Sequence, residues 1–119
     1  MGVGMFRAIL LSTVAMLPVT TGLAQAQTPV LPAQGAFVAG AGSIGQSGAV
    51  MTIDQTTARG VVNWRDFSIG QGGTVQVNNG SGATLNRVTG GNLSQILGTL
   101  KATGSLYLVN PQGVVIGES

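Results

Sequence analysis

Residues 106–119 read LYLVNPQGVVIGES, two short apolar runs on either side of a four-residue polar corner. Both runs alternate with the period of two that is typical of β-strands. The corner, Asn110-Pro111-Gln112-Gly113, suits a type I turn, because Asn favours the first position, Pro presets φ at the second and Gly favours the last. We therefore predict two strands, joined by a turn, whose apolar side chains enter one core from two adjacent faces.

The same alternation recurs from residue 36 onward, in short runs rich in Val, Ile and Thr that are separated by Gly, Asn, Ser and Thr. The pairs predicted to face the core are Met51/Ile53, Val62/Trp64, Phe67/Ile69, Val75/Val77, Leu106/Leu108 and Val114/Ile116. Residues 90–102 could instead hold a helical turn, because their apolar residues have helix-compatible spacing, although Gly98 weighs against it. The sequence thus predicts an all-β domain.

Three all-β arrangements are compatible with such short strands: a sandwich, a small barrel and a parallel β-helix. Between Ile96 and Ile116, strands follow one another at intervals of roughly ten residues. The connectors KATGS and NPQG lack the form of a two-residue hairpin loop. A coil with three short strands per turn fits this spacing best, and buried Asn, Ser and Thr side chains could pair between its turns.

Residues 1–26 have the layout of a secretory signal peptide. Arg7 precedes an apolar run at residues 8–17, and the small residues Ala24 and Ala26 mark a cleavage site. A membrane anchor is the alternative, but Ser, Thr and Pro interrupt a run that would need ~20 apolar residues. We expect the general secretion machinery and signal peptidase to process this segment, leaving a lead-in at residues 27–35 and a secreted or surface-exposed domain from residue 36.

Composition disfavours several function classes. The 119-residue chain has no His or Cys and a net charge of +2, without the Lys/Arg cluster that nucleic acid binding requires. Beyond residue 26 the carboxylates are Asp54, Asp66 and Glu118, which are dispersed along the chain. A polysaccharide lyase, the strongest enzymatic alternative, needs clustered carboxylates and a base. We therefore expect no catalytic activity, no cofactor and no metal site.

Residues 40–45, GAGSIG, match the GxGxxG dinucleotide fingerprint literally. That motif needs a helix directly after it, to place a pyrophosphate at the helix N-terminus. The following residues, QSGAVMTIDQT, are typical of a strand instead. We expect Gly-rich corners between strands here.

Four spaced motifs carry a resemblance to a known family. They are Trp64-x-x-Phe67-x-x-Gly70, Asn86-Arg87-Val88-Thr89-Gly90, Ser94-x-Ile96-x-Gly98 and Asn110-Pro111-x-Gly113. With MTIDQTTARGVVNW upstream, residues 36–117 resemble the N-terminal two-partner secretion (TPS) domain of the filamentous haemagglutinin family, large exoproteins of Gram-negative bacteria. Gln112 stands where that family usually has Asn. Since family domains run well past this length, residues 36–119 are interpreted as a partial domain of a fragment or a truncated product.

The resemblance implies a right-handed parallel β-helix with an N-terminal cap. It also implies recognition by the periplasmic modules of a dedicated outer-membrane barrel transporter, and seeding of β-helix folding outside the cell. Adhesin or toxin activity, and any host-cell contact, would belong to regions downstream. The alternative is a short standalone β-solenoid that acts as a structural or adhesive surface protein, with a carbohydrate-active enzyme third.

The motifs supply the candidate residues for partner recognition and folding: Trp64, Phe67, Asn86, Arg87, Asn110, Pro111, Gln112 and Gly113. For Trp64 and Phe67 we favour packing in the core or cap over an exposed docking patch, because few aromatic residues are present to fill the interior. Asn86 is expected in a polar ladder or at the end of a coil. For Arg87, pairing with a carboxylate of the partner and plain solvation remain equally open. The corner at residues 110–113 could be either an ordinary surface turn or a turn with a role in recognition or folding.

Overall fold

The computed structural model describes residues 27–117, so the predicted signal peptide lies outside the described residues. The described part contains strands, turns and bends but no helix, which confirms the all-β class. No helix long and apolar enough to cross a membrane occurs in residues 27–117. Its ten strands are β1 (Ala36–Ala39), β2 (Gly42–Ser47), β3 (Val50–Gln55), β4 (Arg59–Trp64), β5 (Thr74–Asn78), β6 (Ala83–Val88), β7 (Ser94–Ile96), β8 (Thr99–Ala102), β9 (Ser105–Val109) and β10 (Val114–Ile116).

Most strands pair in parallel with a strand one repeat away in sequence. The first sheet has the order β2-β3-β5-β8, the second β1-β4-β6-β9, and the third consists of β7 and β10. Val50 lies opposite Thr74, and Thr74 in turn lies opposite Thr99. The consecutive strands β8, β9 and β10 belong to three different sheets, as their spacing predicts. From β5 to β10 the chain therefore visits the three sheets in turn and returns to each about one repeat later.

The predicted alternative of a helical turn in residues 90–102 is wrong, because this segment forms β7 and β8. Ile96 pairs in parallel with Ile69, and the amide of Thr99 donates to the carbonyl of Gly73. These inter-turn hydrogen bonds satisfy the backbone. The helix-compatible spacing of the apolar residues is outweighed, since Ile96 is buried while Leu93 remains exposed.

The N-terminal strands pair antiparallel, unlike the rest. β1 pairs with β4, and β2 pairs with β3 through a hairpin whose loop, Gly48 and Ala49, places Gly48 at a φ of 58°. Our expectation of strand corners at residues 40–45 is therefore wrong for residues 42–45, because their backbone pairs along β3. The missed signal is a Gly-x dipeptide, which suits a two-residue hairpin loop. The lead-in joins this end, with the carbonyl of Val30 accepting from the amide of Gly70 at 2.9 Å.

The core consists of inward-facing apolar residues from successive strands, which are Met51, Ile53, Val62, Trp64, Phe67, Ile69, Val75, Val77, Val88 and Ile96. Leu106 and Leu108 are half-buried and pack against this core, as predicted. Val114 and Ile116 do not, since 40% and 78% of their surfaces are exposed. Both lie on β10, which pairs on one side only with β7, so among the described residues no further strand covers them.

A buried polar network connects the turns near the junction of the first and second sheets. Thr84 donates its hydroxyl to Oε1 of Gln55 at 2.6 Å, and Nδ2 of Asn79 donates to Oγ1 of Thr84 at 2.9 Å. Nδ2 of Asn79 also donates to the carbonyl of Ser105 at 2.9 Å. Buried polar groups with satisfied hydrogen bonds specify one arrangement of the chain. The hydroxyl of Thr103 also donates to Oδ1 of Asn79 at 3.1 Å, across 24 residues of sequence, so the predicted pairing of Asn and Thr side chains between turns is confirmed.

Candidate functional site

The sequence motifs, far apart in the chain, lie beside one another at one corner of the fold. We call this region the stacked corner and define it as residues 64–67, 86–94 and 110–113. Parallel pairing of β4 with β6 sets Trp64 opposite Val88. The amide of Ser94 donates to the carbonyl of Gly113 at 3.0 Å. Three successive turns of the chain thus meet here.

Trp64 and Phe67 form the apolar base of the stacked corner. Each ring exposes 1% of its surface, and their centroids are 5.4 Å apart at an interplanar angle of 79°. Edge-to-face aromatic pairs contribute about 0.5–1.5 kcal/mol beyond the burial of their area. The packing interpretation is therefore correct for the folded chain, and the alternative of an exposed docking patch is wrong.

Asn86 links three neighbouring strands through its side chain. It is fully buried, its Oδ1 accepts from Nε1 of Trp64 at 2.9 Å, and its Nδ2 donates to the carbonyl of Tyr107 at 3.2 Å. These partners lie on β4 and β9, on either side of β6. Asn86 is accordingly a member of a polar ladder, one of the two alternatives predicted for it.

Arg87 points outward, on the opposite face of β6 from Asn86. Its Nε donates to Oδ1 of Asn63 at 3.0 Å, on the neighbouring strand. The guanidinium is exposed, and this bond holds its stem along the sheet surface. Arg87 is therefore exposed and bonded to a neighbouring side chain, and pairing with a carboxylate of a partner stays a prediction.

The motif at residues 86–90 continues past its strand and bonds to the preceding turn. The amide and the hydroxyl of Thr89 both donate to the carbonyl of Trp64, at 2.8 and 3.1 Å. The amide of Gly90 donates to the carbonyl of Arg65 at 3.1 Å, and a Cβ at Gly90 would overlap that oxygen. The two motifs are therefore stacked residue by residue, and only Gly permits the contact at position 90.

The corner at residues 110–113 is a hydrogen-bonded β-turn, as predicted. The amide of Gly113 donates to the carbonyl of Asn110 at 3.0 Å, and the amide of Gln112 donates to Oδ1 of Asn110 at 2.9 Å. Gly113 has a φ of 115°, which side-chain-bearing residues rarely adopt. Pro111 and Gln112 are exposed at the tip.

Asn110 also ties this turn to the turn before it. Its Nδ2 donates to the carbonyl of Asn92 at 2.9 Å and to Oγ of Ser94 at 3.0 Å. Nδ2 of Asn92 in turn donates to Oδ1 of Asp66 at 3.0 Å. Asn92 therefore links Asp66, through its side chain, to the predicted corner, through its main-chain carbonyl.

Sequence reasoning did not assign roles to Asp66, Asn92 and Ser94. The bonded residues are separated by 26 positions from Asp66 to Asn92 and by 18 from Asn92 to Asn110. Turns of unequal length leave no constant period in the sequence. Asn close to the end of a strand was the available signal, and it is too common in loops to single out these positions.

The carboxylate of Asp66 is held in its charged form. The hydrogen bond from Asn92 and the hydrogen bond from Arg65 lower its pKa, and the positive charge of Arg65 contributes in the same direction. Nε of Arg65 lies 3.0 Å from Oδ2 of Asp66. Within residues 27–117, no three His, Cys, Asp or Glu residues group closely enough to hold a metal ion.

These observations define an all-β domain whose parallel ladders bring spaced sequence motifs into one hydrogen-bonded corner. The chain belongs to the family of TPS secretion domains, and the family model matches residues 28–119. This confirms the resemblance drawn from the four motifs.

Relatives with known names share this segment. A heme/hemopexin-binding protein of Haemophilus influenzae strain Rd is 40% identical over 105 residues, which are 87% of this chain and 12% of the relative. A second heme/hemopexin-binding protein of Haemophilus influenzae is 40% identical over 113 residues, 91% of this chain and 12% of that protein. The chain therefore spans about one eighth of the length of these relatives.

A solved structure is also similar. It is the crystal structure of the HMW1 secretion domain from Haemophilus influenzae, with a TM-score of 0.68 and 32% sequence identity. The similarity covers 72% of this chain and 23% of the HMW1 chain. Both the sequence family and the architecture thus point to a secretion domain of an exoprotein.

Proposed function

We propose that this chain is the export signal of a larger exoprotein and acts without catalysing a reaction. A dedicated outer-membrane barrel transporter recognises it through periplasmic modules, after the general secretion machinery has delivered it. Outside the cell it folds into a right-handed parallel β-helix with an N-terminal cap and seeds the folding of the region that follows. The observation that carries this proposal is membership of the TPS secretion domain family over residues 28–119.

The parallel ladders support the proposed β-helix. Strands β5 to β10 visit the three sheets in order. Partners in the first sheet recur at a nearly constant interval, from Val50 to Thr74 and from Thr74 to Thr99. The antiparallel strands β1 and β2 occupy the outer positions of their sheets and suit the role of the cap.

The other end of the ladders supports a seeding role. β8, β9 and β10 are the outermost strands of their three sheets in the described part of the chain. Ile116 exposes 78% of its surface, and Leu106 and Leu108 are covered only partly. A following turn would pair with these edges and bury these side chains, so each completed turn would provide a template for the next.

The transporter would meet the chain before folding is complete. Trp64 and Phe67 are buried in the fold, so their rings would be available to a partner only in an extended or partly folded chain. β2 offers a further recognition edge, because it pairs on one side with β3 and its residues, GSIGQS, include no charge and no Pro to deter pairing. An extended partner strand could add there by main-chain hydrogen bonds.

We assign heme or hemopexin binding, named for the relatives, to regions outside the shared segment. This chain contains no His and no Cys, two of the side chains that hold heme iron in proteins. The standalone solenoid remains the second candidate. The exposed apolar side chains of β10 weigh against it, because a standalone protein would leave them in water.

A binding experiment tests the proposal directly. The purified periplasmic modules of the cognate transporter are immobilised and offered the chain either freshly diluted from urea or fully refolded. We expect capture of the freshly diluted chain and weaker capture of the refolded one. The periplasmic modules of an unrelated transporter serve as the control. Failure of the cognate modules to capture either form would contradict the proposal.

A further inference from the structure

The outward face of the second sheet combines positive charge with apolar surface. Its rows run across β4, β6 and β9, and we define this arginine face by nine residues: Arg59, Ala83 and Ser105 in the first row, Val61, Leu85 and Tyr107 in the second, and Asn63, Arg87 and Val109 in the third. The alternate residues of β4 and β6 are buried beneath it. The face therefore presents a continuous set of side chains to solvent.

Every charged side chain on the arginine face is a cation. Arg59 and Arg87 are both exposed. Among the described carboxylates, Asp54 lies on β3 in the first sheet, and Asp66 lies at the stacked corner with Arg65 and Asn92 as its partners. The face consequently has a local positive charge that no acidic residue on the same face offsets.

The middle row forms an apolar stripe between the two arginines. Val61 and Leu85 are half-buried, and Tyr107 exposes 58% of its surface. Because Arg87 lies opposite Asn63, it stands four positions along the strand direction from Arg59. At roughly 3.3 Å per residue, that offset is about 13 Å.

The spacing of alternate residues in an extended polypeptide matches the spacing of the two arginines on this face. Alternate residues of an extended segment point to one side, so residues i, i+2 and i+4 would face the sheet over about 13 Å. Carboxylates at i and i+4 would meet Arg59 and Arg87, and an apolar side chain at i+2 would meet Leu85. Nε of Arg87 already donates to Oδ1 of Asn63, which restrains the guanidinium, so its two terminal amino groups are the donors that would meet a carboxylate.

We propose that the arginine face binds an extended segment of a partner protein with the pattern acidic-x-apolar-x-acidic. Charge complementarity selects the acidic residues, and the apolar stripe selects the residue between them. Anionic lipid is a poorer match, because a lipid surface attracts clusters of cations, whereas the two arginines of this face are separated by an apolar stripe. This proposal does not depend on the identity of the transporter.

Fluorescence anisotropy tests the inference with defined probes and the purified full chain. The first probe is a labelled peptide, Ser-Glu-Thr-Leu-Thr-Glu-Ser. The second has the same composition with its two Glu residues adjacent, and the third has Lys in place of both Glu residues. We expect the first probe to bind more tightly than the second and the third not to bind. Added salt should weaken binding, because the pairs are exposed.

Charge-neutralising variants show where the peptide binds. Arg59→Gln or Arg87→Gln should each weaken binding of the first probe about twofold to fivefold, the range of an exposed ion pair. Lys101→Gln is the matched control, because Lys101 is also exposed but lies on β8 in the first sheet. It should leave binding unchanged. Circular dichroism spectra identical to the unmodified chain show that each variant remains folded.

Three results would overturn the inference. One is equal binding of the first and second probes, which would show that the spacing is not recognised. Another is an equal loss of affinity in Lys101→Gln, which would indicate general attraction to positive charge. The third is binding to phosphatidylglycerol vesicles, lost in Arg87→Gln, without binding to the first peptide, which would assign the face to a membrane.

Discussion

Replacing Asn79 with Ala tests whether the buried polar network holds the turns of this domain together. The side chain is almost fully buried and makes four hydrogen bonds. Nδ2 donates to Oγ1 of Thr84 and to the carbonyl of Ser105, both at 2.9 Å. Oδ1 accepts from the amide of Gly104 at 2.7 Å and from the hydroxyl of Thr103 at 3.1 Å. The substitution would leave these partners without a replacement.

The expected cost follows from the number of bonds. Each hydrogen bond contributes about 0.5–1.5 kcal/mol net, and a buried group left unsatisfied costs more. We therefore expect Asn79→Ala to lower the free energy of unfolding by about 3–4 kcal/mol, which is a large share of the ~5–15 kcal/mol that stabilises a typical domain. Asn78→Ala is the matched control. Asn78 donates to Oδ1 of Asp54 and accepts from Nε2 of Gln76, and because these partners keep access to water the loss should be only about 1 kcal/mol.

Urea unfolding measures both variants. Trp64 is the only Trp in the chain and is buried, so its fluorescence reports unfolding of the core. With a slope of about 1.5 kcal/mol per molar urea, Asn79→Ala should lower the midpoint by about 2 M or more. A midpoint shift no larger than that of Asn78→Ala would refute the assignment of the network as a connection between turns.

Three further predictions concern close packing, pH and the corner. Gly98→Ala should lower the free energy of unfolding by about 1–3 kcal/mol, because its Cβ would overlap the carbonyl oxygens of Gly70 and Gly73. Gly91→Ala, which has open space at its Cβ, should change the urea midpoint little, and equal shifts in the two variants would contradict this prediction. Because its pKa is lowered in the fold, Asp66 stabilises the fold above its unfolded pKa of about 3.9, and this contribution is lost as pH falls through the folded pKa. The urea midpoint of Asp66→Asn should therefore fall less between neutral and acidic pH than the midpoint of the unmodified chain. Asn110→Ala or Pro111→Ala should reduce the amount of protein exported more than the amount made, whereas Gln112→Ala, whose side chain lies exposed at the tip, should not. Immunoblots of the medium and of the cells measure both amounts. Normal export of Asn110→Ala would count against a role for the corner.

Local signals in the sequence predicted much of this fold. The period-two alternation in β3, β4 and β5 identified core pairs such as Val75 and Val77, which are buried. The preferences of Asn, Pro and Gly identified the turn at residues 110–113. These features depend on neighbours within a few residues, where steric and hydrogen-bonding preferences act directly.

Long-range features were harder to predict. The link from Asp66 through Asn92 to Asn110 depends on which turns stack, and the turns differ in length. β2 was missed because GSIGQS has few strand-forming residues, and its pairing with β3 forms the strand. Ile116 has the alternation of a core residue but is exposed, because burial requires a strand beside β10. Pairing across the fold determined each of these outcomes.

Dependence of export on the transporter is the most direct test of the proposed function. The gene that encodes this chain is expressed in cells that have or lack the cognate outer-membrane transporter, and the protein is quantified in the medium and in the periplasm. We predict protein in the medium or on the cell surface only when the transporter is present, and retention in the periplasm when it is absent. Equal export in both strains would contradict the proposal and favour a standalone surface protein.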